Sequence, residues 1–122
     1  MDRTLFETLV VEAVDALPPD LLETLDNVEI IVEDWPDRVT MHQAGVRHRT
    51  ELLGFYHGVP RTHRTRSYTL VLPDKISIYR GPIQMRCQTD EEVRAMVEHI
   101  LRHEIAHHFG ISDDRLRDLG VY

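Results

Sequence analysis

The sequence predicts a mixed α+β fold, with a small mixed or antiparallel sheet packed on an N-terminal helix and a long C-terminal helix. Apolar residues recur at helical spacing in residues 3–17 and again in residues 89–109. Short runs rich in β-branched and aromatic residues at 28–32, 68–72 and 75–79 are typical of strands. Helix, strand and later helix in this order indicate an α+β fold.

The N-terminal segment is predicted to form a helix whose apolar stripe belongs to the core. This helix is expected to end at Pro18-Pro19, because proline lacks the amide hydrogen that a continuing helix needs. Residues 20–25 add a short helical turn, and Asp34-Trp35-Pro36 closes the first strand. The stripe consists of Leu5, Phe6, Leu9, Val10, Ala13, Val14 and Leu17.

Residues 37–66, the basic loop region, differ from the rest of the chain in charge. Six arginines oppose two acidic residues here, whereas the remaining 92 residues carry eight basic and nineteen acidic side chains. We expect this region to dock on the protein's own acidic surface. Recognition of an acidic substrate segment and contact with nucleic acid are the alternatives, and no nucleic-acid motif supports the second. Within the region, residues 52–58 are predicted to form a short strand that bends at Gly54 and Gly58.

Two further strands, 68–72 and 75–79, are separated by Pro73-Asp74, and Gly81-Pro82 is expected to end the second. In that strand, alternation places Ile76 and Ile78 on one face and Lys75, Ser77 and Tyr79 on the other. An exposed edge of this sheet could accept an extended peptide by strand addition.

The composition is that of an ordinary soluble globular protein, and one domain spanning residues 1–122 is expected. A net charge of −7 argues against a general binder of nucleic acid or of anionic membranes. The single cysteine, Cys87, permits no internal disulfide, and no apolar run is long enough to span a membrane. We therefore expect a cytoplasmic protein; the sequence leaves its oligomeric state open.

Residues 89–109, the motif helix, are predicted to carry the chemistry. Thr89 and Glu92 have the spacing of a capping box, which begins a helix, and Gly110 is a natural C-terminal stop. At about 100° per residue, the apolar residues fall in one stripe that we expect to face the core. These residues are Val93, Met96, Val97 and Ile100.

His103, Glu104 and His107 form an H-E-x-x-H motif inside that apolar stripe. Residues four apart lie about 40° apart around a helix, so both imidazoles can bind one metal ion while Glu104 faces a water on it. Polar groups on a buried face need partners, which a metal ion would supply. The alternative is that they line a solvated rim where the helix leaves the core. His99 and His103 have the same spacing, but His99 lies on the charged side of the helix. This pair is therefore a weaker candidate for a metal site than His103 and His107.

Asp113 is the candidate third metal ligand. If the chain reverses at Gly110, Asp113 can return to the ion, and two histidines with one carboxylate leave the open position that is typical of catalytic zinc. Alternatively, Ser112 caps a last short helix and Asp113 lies near its positive end. Asp114 and His108 are the other candidates.

The pattern His103-Glu104-x-x-His107-x-x-Gly110-x-x-Asp113 resembles the Asp-terminated form of the zincin metallopeptidase signature. Nearly the whole chain, including residues 72–79, resembles the small bacterial proteins called minimal zincins. The resemblance implies a compact α+β fold with an active-site helix beneath a small sheet, and a peptidase activity. All four methionines precede the motif, which departs from the Met-turn of the metzincins.

The resulting hypothesis is a zinc peptidase that hydrolyses a peptide or protein substrate. Glu104 would take a proton from the attacking water and pass it to the leaving amine. The rival hypotheses are a metal-binding module without turnover and an interaction protein that uses the basic loop region. The candidate stabilisers of the oxyanion, or supports of the site, are Tyr56, Tyr79, His108 and Tyr122.

Overall fold

A computed structural model describes residues 1–58 and 73–109 of the chain. In this part the chain forms five α-helices, a 3-10 turn and a three-stranded sheet, which confirms the predicted α+β class. In chain order the elements are α1 (Arg3–Asp15), α2 (Pro19–Thr24), β1 (Val28–Glu33), α3 (Arg38–Ala44), the 3-10 turn (Arg49–Glu51), β2 (Gly54–His57), β3 (Asp74–Tyr79), α4 (Arg80–Arg86) and α5 (Asp90–Phe109).

The sheet is mixed and has the order β1-β3-β2. β1 runs parallel to β3, with Ile30 opposite Ile76, and β2 runs antiparallel to β3, with Tyr56 opposite Ile76. The strands predicted at 28–32, 52–58 and 75–79 are confirmed with small changes at their ends. The strand predicted at 68–72 lies outside the described residues.

β3 is the central strand of the described sheet, and both of its faces are buried. Ile76 and Ile78 enter the main core, as their alternation predicts. Ser77 and Tyr79 point to the opposite face and are also buried. Ser77 Oγ lies 3.2 Å from His57 Nε2, so this buried hydroxyl has a polar partner.

Two short helices differ from the sequence-based expectation. β3 ends at Tyr79, just before Gly81-Pro82, as expected, but the chain then continues into an unpredicted helix, α4, which begins at Arg80; proline is tolerated there because it lies in the first turn. α3 lies inside the basic loop region. Asp37 caps it by accepting a hydrogen bond from the Thr40 amide at 2.7 Å, and Gly45 ends it with a φ of 73°.

The core lies between the sheet and the helices α1 and α5. Asp2 caps α1 by accepting a hydrogen bond from the Leu5 amide at 2.8 Å, and the helix then packs lengthwise on α5. α5 also contacts β2 and β3, so the motif helix is held from two sides. No described helix is both long enough and apolar enough to cross a membrane. The buried cluster includes Phe6, Leu9, Ala13, Leu21, Tyr56, Ile76, Ile78, Ile83, Val97, Leu101 and Ile105.

Candidate metal centre

The motif helix begins at the predicted capping box. The Thr89 hydroxyl accepts a hydrogen bond from the Glu92 amide at 3.1 Å, and the Glu92 carboxylate accepts one from the Gln88 amide at 3.5 Å. These bonds satisfy amides at a helix start that would otherwise lack partners. α5 then continues without interruption to Phe109. The whole H-E-x-x-H motif therefore lies on one regular helix.

The two motif imidazoles lie side by side. The ring centroids of His103 and His107 are 5.4 Å apart, with an angle of 80° between the ring planes. One zinc ion bound to a nitrogen of each ring at the tetrahedral angle would space the centroids by about 5.2 Å. The centroid spacing of the two rings therefore matches that of two imidazoles on one divalent ion.

The histidines lie on the flank of α5 and not at the centre of its buried face. His107 is exposed and His103 is half-buried, whereas Leu101 and Ile105 are fully buried. The expectation that both imidazoles enter the core is therefore wrong. Leu101 and Ile105 anchor the C-terminal part of the helix in the core. Glu104 lies about 100° around the helix axis from both His103 and Ile105.

Glu104 occupies the boundary between the buried face of α5 and its histidine flank. Burial raises the pKa of the Glu104 carboxyl, and the neighbouring His107 partly opposes this. Burial, with smaller contributions from His99 and His107, lowers the pKa of His103. A neutral imidazole has a lone pair for a metal ion, and a raised pKa makes the carboxylate a stronger base.

A second polar cluster fixes the last turn of α5 to the sheet. The His108 ring stacks on Tyr56, with centroids 3.7 Å apart and ring planes within 11°. The Tyr56 hydroxyl donates a hydrogen bond to Asp74 Oδ2 at 3.0 Å, and His108 Nε2 lies 3.7 Å from the same oxygen. A Cβ at Gly58 would lie 2.8 Å from His108 Cε1, so glycine gives the ring its space. Three elements, β2, β3 and α5, thus meet beside the motif.

Asp74 is the member of this cluster that sequence reasoning missed. The sequence places it in a Pro73-Asp74 turn, and in the structure it is the first residue of β3. Its partners Tyr56 and His108 are distant in sequence, so no local pattern could have found it. Only the pairing of β2 with β3 brings the carboxylate to Tyr56.

The remaining predicted site residues are placed differently. Tyr79 is buried on the sheet face opposite Ile78, where burial raises the pKa of its phenol and Ser77 and Thr40 are its polar neighbours. Of the predicted supports Tyr79 and His108, only His108 therefore lies beside the motif. Gly110, Asp113, Asp114 and Tyr122 lie outside the described residues. Among residues 1–58 and 73–109, no three potential ligands converge on one point.

The described half of the basic loop region does not pair with acidic side chains. Arg49 stacks on the Trp35 ring, 4.1 Å from its centroid. In the part of the chain that the structure describes, no ion pair joins Arg38, Arg47 or Arg49 to a carboxylate. In this half the expected docking on the protein's own acidic surface therefore involves no ion pair of these three arginines, and the other three arginines of the region lie outside the described residues.

In the described residues, a long helix presents paired imidazoles and a partly buried glutamate beside a small mixed sheet. The family model of zincin-like metallopeptidases matches residues 25–121, which are 97 of the 122 residues, and the chain therefore belongs to that family. The match begins at the end of α2 and includes the sheet and the complete motif helix. A search of curated proteins found no match.

Proposed function

We propose that the chain is a zinc-dependent peptidase that hydrolyses peptide bonds. The observation that carries this proposal is the spacing of the His103 and His107 rings, 5.4 Å between centroids, beside a glutamate that burial makes more basic. Membership of the zincin-like metallopeptidase family supports the same reaction class. The substrate would be a peptide or protein segment, since the chemistry requires a scissile amide near the metal.

In this proposal His103 and His107 hold the ion, and Asp113 is the third ligand. Two histidines and a carboxylate form a ligand set that suits catalytic zinc and leaves one position open. When bound, zinc would acidify water and polarise the scissile carbonyl. The alternatives for the third ligand are Asp114 and His108. His108 is the weaker of these because its ring is stacked on Tyr56 and faces Asp74.

Glu104 is the proposed general base and acid. Its carboxylate would accept a proton from the attacking water and then donate that proton to the leaving amine nitrogen. The raised pKa makes the carboxylate a stronger base towards water, and the protonated acid still gives its proton readily to an amine, which is the more basic group. His108, anchored by Tyr56, would position the turn that carries His107.

The cellular setting is proposed from composition. A single cysteine permits no internal disulfide, which favours a cytoplasmic location. A net charge of −7 disfavours nucleic acid as a partner. An exposed sheet edge could align an extended peptide through backbone hydrogen bonds, which tolerate varied side chains.

The decisive experiment compares two isosteric changes on the same helix. Glu104→Gln should keep the zinc content measured by plasma emission spectrometry and reduce cleavage of a randomised quenched-fluorescence peptide library by roughly 10²–10⁴-fold. Glu91→Gln, on an exposed residue of the first turn, is the matched control and should cleave like the wild type. His103→Ala should lose zinc and cleavage together.

Equal cleavage by the Glu104→Gln and Glu91→Gln proteins would refute the catalytic role. Zinc bound at unit stoichiometry, with no Glu104-dependent cleavage of any library member, would instead identify a metal-binding module without turnover. Binding of a partner that is lost on arginine substitution in the basic loop region, and is insensitive to chelation, would identify an interaction protein.

A further inference from the structure

A third histidine on α5 lies in register with the two motif histidines. The His99 ring lies 4.8 Å from the His103 ring, with 62° between the ring planes. The next pair, His103 and His107, is 5.4 Å apart. The three rings therefore form a row along one flank of the helix, in which His103 has an imidazole neighbour on each side.

The distance between the His99 and His103 ring centroids also fits a divalent cation bound by these two imidazoles. An ion held by two imidazoles spaces their centroids by about 4.5 Å at the octahedral angle and about 5.2 Å at the tetrahedral angle. The observed 4.8 Å lies between these values. Imidazole nitrogen is a preferred ligand of Zn²⁺, Ni²⁺ and Cu²⁺, so the chemical class of ligand follows from the donors.

The residues around this pair leave a bound ion accessible to water and do not repel its positive charge. His99 is exposed, so water can complete the coordination. The nearest arginine towards the C-terminus, Arg102, forms an ion pair with Glu98 at 2.6 Å, which offsets its charge. One turn before His99 the helix carries Ala95, which is too small to obstruct the site.

We propose that His99 and His103 form a second divalent-cation site that shares His103 with the H-E-x-x-H motif. A neutral His103 imidazole has one ring nitrogen with a free lone pair and so binds one ion at a time, which makes the two sites alternatives for a single ion. The His99–His103 site is the weaker, because it has two protein ligands and water at the remaining positions. The proposal is independent of peptidase activity.

Removing His107 exposes the second site for measurement. Zn²⁺ alone is titrated into metal-free wild type, His107→Ala, His99→Ala and the His99→Ala/His107→Ala double variant by calorimetry. The His107→Ala protein should still bind one Zn²⁺, at least roughly tenfold more weakly than the wild type, and the double variant should lose at least a further tenfold. His99→Ala alone should retain the wild-type affinity.

A matched control separates a specific site from the loss of any exposed histidine. His42→Ala/His107→Ala removes an exposed histidine of α3 and should bind like His107→Ala alone. Alanine is a better helix former than histidine, so the α5 substitutions should leave the helix intact, which circular dichroism checks. Equal Zn²⁺ affinity of His107→Ala and His99→Ala/His107→Ala would overturn the proposal, as would the absence of binding to His107→Ala.

Discussion

Gly54 allows β2 to approach the motif helix closely, and replacing it with alanine should destabilise the protein. A Cβ at Gly54 would lie 2.6 Å from Ile100 Cγ2 and 3.1 Å from the Ser77 carbonyl oxygen. The Ile100 methyl group is attached directly to Cβ and cannot swing away without a rotamer change. Accommodating the new methyl therefore requires β2 or α5 to move.

The magnitude follows from two opposing effects. Overpacking a well-packed site costs about 1–3 kcal/mol of unfolding free energy. Replacing glycine with alanine recovers about 0.4–1 kcal/mol by restricting the unfolded chain. We therefore expect Gly54→Ala to lose about 1–2 kcal/mol, which corresponds to a decrease in Tm on the order of 5 °C for a chain of this size.

A double-mutant cycle tests whether the contact with Ile100 is the cause. Unfolding in urea is measured for Gly54→Ala, Ile100→Ala and the double variant. Removing the Ile100 side chain also removes the clash with the new methyl group. The sum of the unfolding free energies lost by the two single variants should therefore exceed the loss in the double variant by at least about 0.5 kcal/mol. Gly45→Ala is the control, because Gly45 has a φ of 73° and a Cβ added there would have no atom within 4 Å. Its cost should be unaffected by Ile100→Ala. Additive losses at Gly54 would refute the proposed contact.

Three further predictions concern the caps and the cluster beside the motif. Thr89→Ala should cost about 1 kcal/mol in urea unfolding and Thr89→Ser much less, because the hydroxyl caps α5; equal losses would contradict this. Hydrogen bonds from Thr40, chiefly from its backbone amide, lower the pKa of the Asp37 carboxyl in the folded protein. The contribution of Asp37 to the free energy of unfolding is therefore present above its unfolded pKa of about 4 and is lost as pH falls through the lower native pKa. The stability difference between wild type and Asp37→Ala should therefore shrink from pH 7 to pH 2, and a constant difference would refute it. Tyr56→Phe should lower stability by about 1 kcal/mol and speed hydrogen exchange in the last turn of α5, because the hydroxyl donates to Asp74; unchanged exchange would show that the bond does not anchor that turn.

Several elements could be predicted from local signals. The capping box at Thr89 and Glu92 is defined by side chains three residues apart, and the Thr89 hydroxyl accepts from the Glu92 amide as expected, whereas the Glu92 carboxylate accepts from the Gln88 amide and not from that of Thr89. The strand that contains Ile76 and Ile78 follows from their alternation. α3 carries comparable signals, an aspartate at its start and Gly45 at its end, but the arginine content of the segment favours the interpretation as a loop.

Other features depend on contacts between distant residues. Asp74 joins Tyr56 and His108 because β2 pairs with β3, which no spacing within the sequence encodes. The rotation of α5 about its axis is set by what Leu101 and Ile105 meet in the core, and it moves His107 to the surface.

The sequence by itself determined the chemistry available to this protein: two imidazoles and a carboxylate at helical spacing, on a helix whose start is encoded locally. The tertiary structure alone decided how that helix faces its surroundings and which residues support its last turn. The physical reason is that backbone hydrogen bonding and capping act within a few residues, whereas the rotation of a helix and the order of a sheet minimise the free energy of contacts across the whole core.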